Sequence, residues 1–216
     1  MANQIRNRVQ SLIGDEYASE NAHFAAAINE IMDLLPKDLL MKYAPSFSTL
    51  DDATPTYGGV EGKKILGVTR LDDTSGTERK VTPIELEKFS LAKDSDSLYE
   101  ATNFSPVYAL DVDGGSTTLK IHPEPTATEK AKVYYLEYET ESSANFSADD
   151  TIDNFPTTAE QAVVIKTAIN LLMTKISDAV QDDEDQEIQT MLQGQLAQLQ
   201  EMFKAEMSRL SGGTVE

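Results

Sequence analysis

The spacing of hydrophobic residues changes twice along this chain of 216 residues, from helical to alternating and back to helical. Near the N-terminal end, Phe24, Ile28 and Ile31 recur at every third or fourth position and so share one face of a helix. Residues 132–141 instead alternate between two sets of side chains, as in a strand with one buried face. Helices at both ends with strands between them predict an α+β fold with segregated elements.

Two long helices are predicted in the C-terminal third. The first begins with a capping box, Thr157-Thr158-Ala159-Glu160, and an acidic run at residues 182–185 separates it from the second. A short connection between two long helices predicts an antiparallel hairpin. The apolar face of the first helix consists of Ala162, Ile165, Ile169, Leu172, Ile176 and Val180, and that of the second of Ile188, Leu192, Leu196, Leu199, Phe203, Met207 and Leu210.

The N-terminal segment is predicted to be helical as well, with a first helix that Gly14 ends and a second that Ser19 caps and Pro36 ends or kinks. This segment and the C-terminal hairpin are expected to form a helical bundle. The predicted division is a helical domain of residues 1–45 and 155–210, an inserted β-rich domain of residues 46–154, and a flexible tail of residues 211–216.

The β-rich region is predicted to be an antiparallel meander of five strands with one helical insertion. Its strongest hairpin signal is Asp113-Gly114-Gly115, between strands at 106–112 and 117–122. A second hairpin is predicted around residues 72–76, and Thr82-Pro83-Ile84-Glu85 predicts the start of the inserted helix. Residues 45–62, rich in proline and glycine, are expected to form an exposed loop.

Charge and cysteine content exclude several classes of function. The chain has 37 acidic and 18 basic residues, a net charge of −19, so a general nucleic-acid-binding surface is not expected. Residues 141–216 hold fourteen acidic and four basic residues, net −10, which is over half of the excess. The absence of cysteine excludes disulfides, thiolate nucleophiles and zinc–thiolate sites.

No motif for catalysis, cofactor binding or metal binding is present. His23 and His122 share no motif, and neither a nucleophile elbow nor a phosphate-binding loop occurs. We therefore expect a non-enzymatic protein. A carboxylate hydrolase on a β-scaffold, with or without Ca²⁺ or Mg²⁺, is the alternative, and a surface-recognition module is a third. The acidic groups that offer oxygens to a cation, although turns and helix starts explain them too, are Asp94 with Asp96, Asp111 with Asp113, and Asp149, Asp150 and Asp153.

No secretory signal peptide and no run of about 18–20 apolar residues that would span a bilayer is found. We therefore expect a chain that stays in a cytoplasm, or in a particle assembled in one, without a membrane partner. The face of the last helix around Leu199 and Phe203 has two interpretations. It is either part of the chain's own core or a contact with a neighbouring copy.

The order of elements resembles the head-to-tail connector proteins of tailed bacteriophages, of the adaptor, neck or tail-tubular type. In these proteins a strand precedes a Leu-x-Ile-x-Pro-x-Pro segment, a Val-x-Tyr strand follows, and a proline leads into two helices. The residues that carry the resemblance are Ile31-Met32-Asp33-Leu34-Leu35-Pro36, Ser105-Pro106-Val107-Tyr108-Ala109-Leu110, Leu119-Lys120-Ile121-His122-Pro123-Glu124-Pro125, Val133-Tyr134-Tyr135-Leu136-Glu137-Tyr138 and Phe155-Pro156.

The resemblance implies a structural virion protein at the head-tail junction, assembled in the host cytoplasm and needed for genome packaging and ejection. It implies a ring, commonly of twelve copies, between the portal protein and the next tail or nozzle ring. It also implies that genome DNA passes through without specific binding, along a repulsive acidic lining. Stopper, tail-completion and minor capsid roles share the same pattern and stay open.

The resemblance also implies that the C-terminal end, residues 210–216, docks on the portal protein, whereas Leu199, Phe203 and Met207 are candidates because of their helical spacing. The loop at 45–62 and the hairpin around Gly76 are further candidates for contact with neighbouring copies or with the next ring. The candidate partner-binding residues are Leu199, Phe203, Met207, Leu210, Val215 and Glu216.

Overall fold

A computed structural model of the chain describes residues 5–14, 20–42, 46–72, 76–141, 152, 155–181 and 186–212. Helices near both ends and sheets between them confirm the α+β fold class. The internal contacts divide the chain into two compact units. The helical unit comprises Met1–Tyr43 and Glu139–Glu216, and the β unit comprises Ala44–Tyr138.

The helical unit is organised around one long helix. Its residues Leu171, Leu172 and Ala168 are fully or almost fully buried, and it packs against the two N-terminal helices and the last helix. The two C-terminal helices, which the spacing predicts to be antiparallel, therefore share one core with the N-terminal helices. Among the described residues of this unit, the helices are α1 (Ile5–Ile13), α2 (Glu20–Leu34), α3 (Lys37–Met41), α5 (Glu160–Gln181) and α6 (Gln186–Leu210), and a 3₁₀ turn lies at Thr157–Ala159.

The apolar stripe of α5 is buried over most of its length but not at its end. Ile165, Ile169 and Leu172 are buried, Ile176 is half-buried, and Val180 is exposed. The ends of the N-terminal helices agree with the sequence, because α1 stops before Gly14, whose φ is +77°, and α2 stops before Pro36. The predicted cap Ser19 lies outside the described residues.

The capping box predicted for α5 is wrong. Pro156 precedes the 3₁₀ turn, and no side chain caps that turn. The Glu160 carboxylate instead accepts a hydrogen bond from the backbone N–H of Ile152 at 3.4 Å and lies 3.6 Å from the Arg8 guanidinium. A tertiary partner from α1 therefore engages the carboxylate that the local pattern assigns to its own helix start.

Asn29 of α2 attaches the chain where it returns to the helical unit. Its side chain donates to the Glu139 carbonyl at 2.8 Å and accepts from the Glu139 N–H at 2.7 Å. A side-chain amide that both donates to and accepts from the backbone of one residue makes the same two hydrogen bonds as a residue on a neighbouring strand would. Residues from Glu139 onward thus belong with the helices, whereas the sequence pattern places the boundary at 155.

The β unit contains two four-stranded sheets and one short helix, and the predicted single meander of five strands is wrong. The sheet orders are β1-β8-β3-β4 and β2-β7-β6-β5, so strands distant in sequence are neighbours. All pairs are antiparallel except β5 with β6. The elements are β1 (Phe47–Leu50), β2 (Thr56–Gly58), β3 (Lys63–Leu71), β4 (Glu78–Lys80), β5 (Thr82–Pro83), α4 (Leu86–Ala92), β6 (Val107–Asp113), β7 (Ser116–His122) and β8 (Ala131–Glu137).

The predicted exposed loop at 45–62 is also wrong, because it contains β1 and β2. These strands have only four and three residues, too few to show an alternating pattern. Each one pairs with a longer strand, β1 with β8 and β2 with β7. Leu50 and Tyr57 from these strands are buried in the core of the unit. That core consists of Leu50, Tyr57, Val60, Val68, Val81, Leu119, Ile121, Ala131 and Val133.

The helix start predicted with Thr82 as its cap is wrong by three residues, because Glu85 is the N-cap and α4 begins at Leu86. The backbone N–H groups of Thr82 and Ile84 donate to the carbonyls of Pro106 and Tyr108, both at 2.9 Å. These bonds to β6 hold the segment in a strand. Because Val81 joins β4 to β5, one continuous stretch of chain, residues 78–83, contributes to both sheets.

Both predicted hairpins are confirmed. Asp113 pairs with Ser116 across a two-residue turn, in which Gly114 and Gly115 have φ values of +59° and +87°. Positive φ at both positions matches the right-handed twist of the strands and strongly favours glycine. The hairpin of β3 and β4 pairs Leu71 with Glu78, although part of its turn, residues 73–75, lies outside the described residues.

Candidate interaction surface

An unusual density of exposed apolar side chains occurs in the segment that contains α4 and the turns after it. Single exposed apolar residues are normal on a protein surface, whereas a concentration of them marks an interaction site. Leu98 is completely exposed, at 103% of its reference area. The large apolar side chains exposed in this segment are Leu86, Leu91, Leu98, Tyr99 and Phe104.

Leu98 lies in a turn with local hydrogen bonds, residues 94–100, which we call the apolar turn. The Asp94 carboxylate accepts from the N–H of Asp96 at 3.0 Å, and the Asp94 carbonyl accepts from Ser97 at 3.1 Å. The Ser97 hydroxyl then accepts from the N–H of Tyr99, also at 3.1 Å. These bonds satisfy the backbone on both sides of Leu98. The Asp94 carboxylate, which the sequence offers as a cation ligand, thus binds its own backbone.

A buried polar network anchors the chain just after the apolar turn. Arg70 on β3, whose side chain is 1% exposed, pairs with the Glu129 carboxylate at 2.7 Å. Asn103 donates to the same carboxylate at 2.8 Å and accepts from Arg70 at 3.2 Å. The sequence analysis missed this network. The sequence does hold one sign of this network. Arg70 comes two residues after the core residue Val68 on β3, so a charged side chain stands on the face of the strand that is buried.

A second charged pair reaches the same segment. Two nitrogens of Arg79 donate to one oxygen of the buried Asp72 carboxylate, at 3.0 and 2.7 Å. The guanidinium carbon of Arg79 lies 4.9 Å from the ring centroid of Phe104. This stacking is a cation–π contact, which orients the exposed ring. The residues from 94 to 104 are therefore fixed at several points, although their apolar groups face outward.

A cavity of about 200 Å³ lies beside α4, and we call it the α4 cavity. Phe89 and Ile121 in its lining are buried, whereas the charged side chains are partly exposed, which places charge at its mouth. It is thus an apolar recess with a charged rim. The lining residues are Pro55, Thr56, Phe89, Lys93, Lys120, Ile121 and Glu124.

The rim of the α4 cavity carries two lysines. Lys93 lies 3.5 Å from the Glu124 carboxylate, and Lys120 lies 2.5 Å from that of Asp111. The hydrogen bond to Asp111 raises the pKa of Lys120 above its usual value. Asp111, which the sequence offers as a cation ligand with Asp113, is thus paired with a lysine. Exposed ion pairs of this kind are weak and exchange partners readily.

His122 lies next to the cavity-lining residue Ile121. Its ring meets the Phe89 ring edge-on at 6.4 Å between centroids, and its Nδ1 is buried without a hydrogen-bond partner. Burial, and then the nearby positive charge of Lys93, lower the pKa of His122 below 6.5. The folded protein therefore favours the neutral imidazole.

We expect the lowered pKa of His122 to make the fold less stable in mild acid. Unfolded chain takes up a proton near pH 6.5 and folded chain only at lower pH, so this contribution is full above pH 6.5 and is lost below it. Thermal unfolding midpoints of the wild type between pH 7.5 and 5.5 should fall more steeply than those of His122→Asn. Equal slopes for the wild type and His122→Asn would contradict the expectation.

The outer edge of β6 is open beyond its first residues. Because β5 has two residues, it pairs only with Val107 and Tyr108. Leu110 and Val112 further along β6 have exposed side chains, and among the described residues no strand pairs with them on that side. An open edge with apolar side chains is a template for another strand. It is a second exposed feature of the β unit.

The predicted partner-binding residues differ in how far they are buried. Leu199 is buried within its own chain, whereas Phe203, Met207 and Leu210 are half-buried. The Lys166 ammonium lies 5.9 Å from the Phe203 ring centroid. Val215 and Glu216 lie outside the described residues. A role of these residues in partner binding stays a prediction.

Across the part of the chain that the structure describes, no group of three or more metal-ligating side chains is clustered. One of the predicted acidic groups, Asp149 with Asp150 and Asp153, lies outside that part, and so does the acidic connection at 182–185. None of the described helices is both long and apolar enough to cross a bilayer.

Neither a protein-family model nor a curated protein matches this chain.

Proposed function

We propose that this protein is a structural subunit of a homomeric ring, of the kind that joins portal and tail in a tailed bacteriophage. In this proposal it is a non-enzymatic virion protein at the head-tail junction. Neighbouring copies, the portal protein and the next tail or nozzle ring cover its exposed apolar surface. The ring commonly has twelve copies in proteins of the type that the sequence resembles.

The observation that carries the proposal is the apolar turn. A leucine at full exposure loses the free energy that burial of its side chain would give, about 1.5–3 kcal/mol. Here that leucine lies on a turn fixed by its own hydrogen bonds. The chain just after the turn is anchored by the network that contains the buried Arg70–Glu129 pair. A fixed apolar projection is typical of a surface that a protein partner covers.

The charge of the chain is consistent with this role. A net charge of −19 on each copy opposes adhesion to DNA. Arg70, one of the basic residues, is buried beside Glu129 and is therefore not accessible to phosphates. A ring of such subunits would let a genome pass without holding it.

We expect native mass spectrometry of the purified protein, alone or mixed with portal protein, to show a closed oligomer on the order of twelve copies. Negative-stain images should then show rings with a central hole. The same sample should not retain duplex DNA at about 50 mM salt, where even weak phosphate contacts are strong. A chain that stays monomeric both alone and with portal protein would contradict the proposal, and so would tight DNA binding.

A further inference from the structure

We propose that the outer edge of β6 binds an extended segment of a partner protein, which adds a strand to the sheet and carries lysine or arginine between apolar residues. The part of β6 concerned runs from Leu110 to Asp113, beyond the residues that pair with β5, and we call it the open edge. This inference goes beyond the proposed function, because it names the chemistry of the partner segment and holds whether or not copies of the chain form a ring.

The backbone of the open edge has hydrogen-bonding groups that point away from β7. The N–H of Ile84 donates to the carbonyl of Tyr108 at 2.9 Å, so an even-numbered residue of β6 directs its backbone to the outer side. Backbone groups alternate between the two sides of a strand, and β7 therefore takes those of the odd-numbered residues. Leu110 and Val112 continue the even-numbered series, and among the described residues no strand pairs with them on the outer side. Their two N–H and two C=O groups form a template for another strand.

The side chains of the same two residues continue a buried row of the sheet. Tyr57 on β2, Leu119 on β7 and Leu110 on β6 are register partners, so their side chains lie in one row across one face. Tyr57 is 8% exposed, Leu119 is 0% exposed and Leu110 is 43% exposed, so the row ends at the strand edge without a cover. Val112, two residues further along the same face, is 68% exposed. An added strand would place an apolar side chain beside each of these two residues.

A short strand is enough for such a contact in this sheet. β2 has three residues and β5 has two, and each of them is an outer strand. Tyr57 shows that one apolar residue of a three-residue strand can complete the packing of a row. We expect an occupant of about three to five residues in extended form, because a longer one would pass beyond the hairpin turn at Gly114 and Gly115.

The other face of the open edge determines which side chains the occupant needs between its apolar residues. Asp111 and Asp113 lie on that face, and Lys120 pairs with Asp111. Asp113, which is exposed, also attracts Lys120. Two carboxylates thus share one ammonium group, and one negative charge is left over. A basic residue directly across from an acidic one stabilises a strand pair, whereas an acidic residue there destabilises it.

The same charges make β6 of a second copy a poor occupant. Two antiparallel registers bring the open residues of two copies opposite each other. One register centres on Asp111, which then faces Asp111 of the second copy. The other centres on Val112 and places Asp111 opposite Asp113 of the second copy. Acid faces acid in both registers, so the occupant belongs to a segment of different sequence.

A peptide of alternating valine and lysine, Val-Lys-Val-Lys-Val with blocked ends, is the probe for the open edge. Hydrogen–deuterium exchange of the full protein, read by mass spectrometry, should show that the peptide protects two more amides in residues 107–113, those of Leu110 and Val112. At ten times the dissociation constant their exchange should slow by about tenfold, since about one tenth of the edges stay open. A peptide of the same composition without alternation, Val-Val-Lys-Lys-Val, should protect them less.

Val112→Pro tests the backbone contact. It removes an outward N–H and leaves the bonds to β7, and proline is tolerated where the N–H of an edge strand faces solvent. The change should weaken binding of the lysine peptide by about tenfold, the factor for losing one or two hydrogen bonds. Val112→Thr, which keeps the N–H and the branched shape, is the matched control and should weaken binding less. Circular dichroism and urea unfolding check that both variants fold.

Asp113→Lys tests the charge of the occupant. At about 150 mM salt, which screens long-range attraction, the wild type should prefer the lysine peptide to Val-Glu-Val-Glu-Val by roughly two- to fivefold. Asp113→Lys should reverse this preference. Asp52→Lys changes the net charge equally between β1 and β2, where β2 forms the opposite edge of the sheet, and should keep the preference of the wild type.

The results that would overturn this inference differ from those that bear on the ring. Amides of Leu110 and Val112 that stay unprotected at about 1 mM lysine peptide would overturn it, and so would equal protection by the lysine and glutamate peptides. Unchanged binding by a folded Val112→Pro protein, or a reversal by Asp52→Lys, leads to the same conclusion. Protection that rises with the concentration of the protein alone would mean that a second copy covers the open edge. Ring formation is measured without any peptide, so either proposal can fail while the other stands.

Discussion

Replacement of Glu129 by alanine is expected to lower the free energy of unfolding by about 3–5 kcal/mol, the usual cost of breaking a buried ion pair from one side. The Arg70 guanidinium would be left without a countercharge at a site where its side chain is 1% exposed. Its Nε already lacks a hydrogen-bond partner, so the site has no spare acceptor for the released donors. Urea unfolding followed by circular dichroism measures the change.

Two further variants test the reason for this loss. Lys88→Ala breaks an exposed pair with Glu85, which water screens, and should leave the free energy of unfolding close to that of the wild type. The double variant Arg70→Met/Glu129→Leu removes both charges and should be more stable than Glu129→Ala alone, since no buried charge is left unpaired. A Glu129→Ala protein as stable as the wild type would mean that Arg70 finds water or another acceptor.

Replacement of Leu172 by alanine should have an effect of similar size in the helical unit, about 2–5 kcal/mol. Leu172 is fully buried on α5, the helix that packs against α1, α2 and α6. Truncation loses the transfer free energy of the side chain and leaves a cavity that rigid helices fill only in part. The same urea titration, followed by helical ellipticity, reports it.

Met173→Ala is the matched control for Leu172→Ala, because the two residues are adjacent on α5 but Met173 is 53% exposed. Its replacement should change the free energy of unfolding by no more than about 0.5 kcal/mol, as is usual for surface positions. Equal losses for the two variants would contradict the burial of the α5 face that the structure shows.

The Glu129 result also bears on the proposed contact between copies. Asn103 shares the Glu129 carboxylate with Arg70 and lies shortly after the apolar turn. Loss of that carboxylate should therefore loosen the turn as well as the β unit. We expect Glu129→Ala to weaken association even in conditions where the chain is still folded, whereas Lys88→Ala should leave association unchanged.

Much of the fold was predictable because its signals are local. The helical spacing of Phe24, Ile28 and Ile31 needs only one buried side of a helix, and all three residues are buried. The hairpin at Gly114 and Gly115 needs only residues that tolerate positive φ. Such requirements involve neighbours within a few positions, so they can be read from the order of residues alone.

The predictions that were wrong share a physical cause, which is a partner distant in sequence. Thr82 has the features of a helix cap, but its N–H bonds to Pro106 and the segment becomes a strand. Glu160 has the features of a capping-box acid, but Arg8 from α1 attracts its carboxylate. The short strand β1 carries no pattern of its own and exists because β8 pairs with it.

For the candidate surface too, some properties follow from the sequence and others only from the tertiary structure. By itself the sequence determined the acidic charge, the lack of thiols and the two kinds of core, because these depend on composition and period. The exposure of Leu98, the α4 cavity and the burial of Arg70 beside Glu129 were decided only by tertiary structure. Leucine is apolar and Arg70 is charged wherever they stand. Whether water or protein surrounds a side chain depends on which distant strands and turns the fold brings beside it.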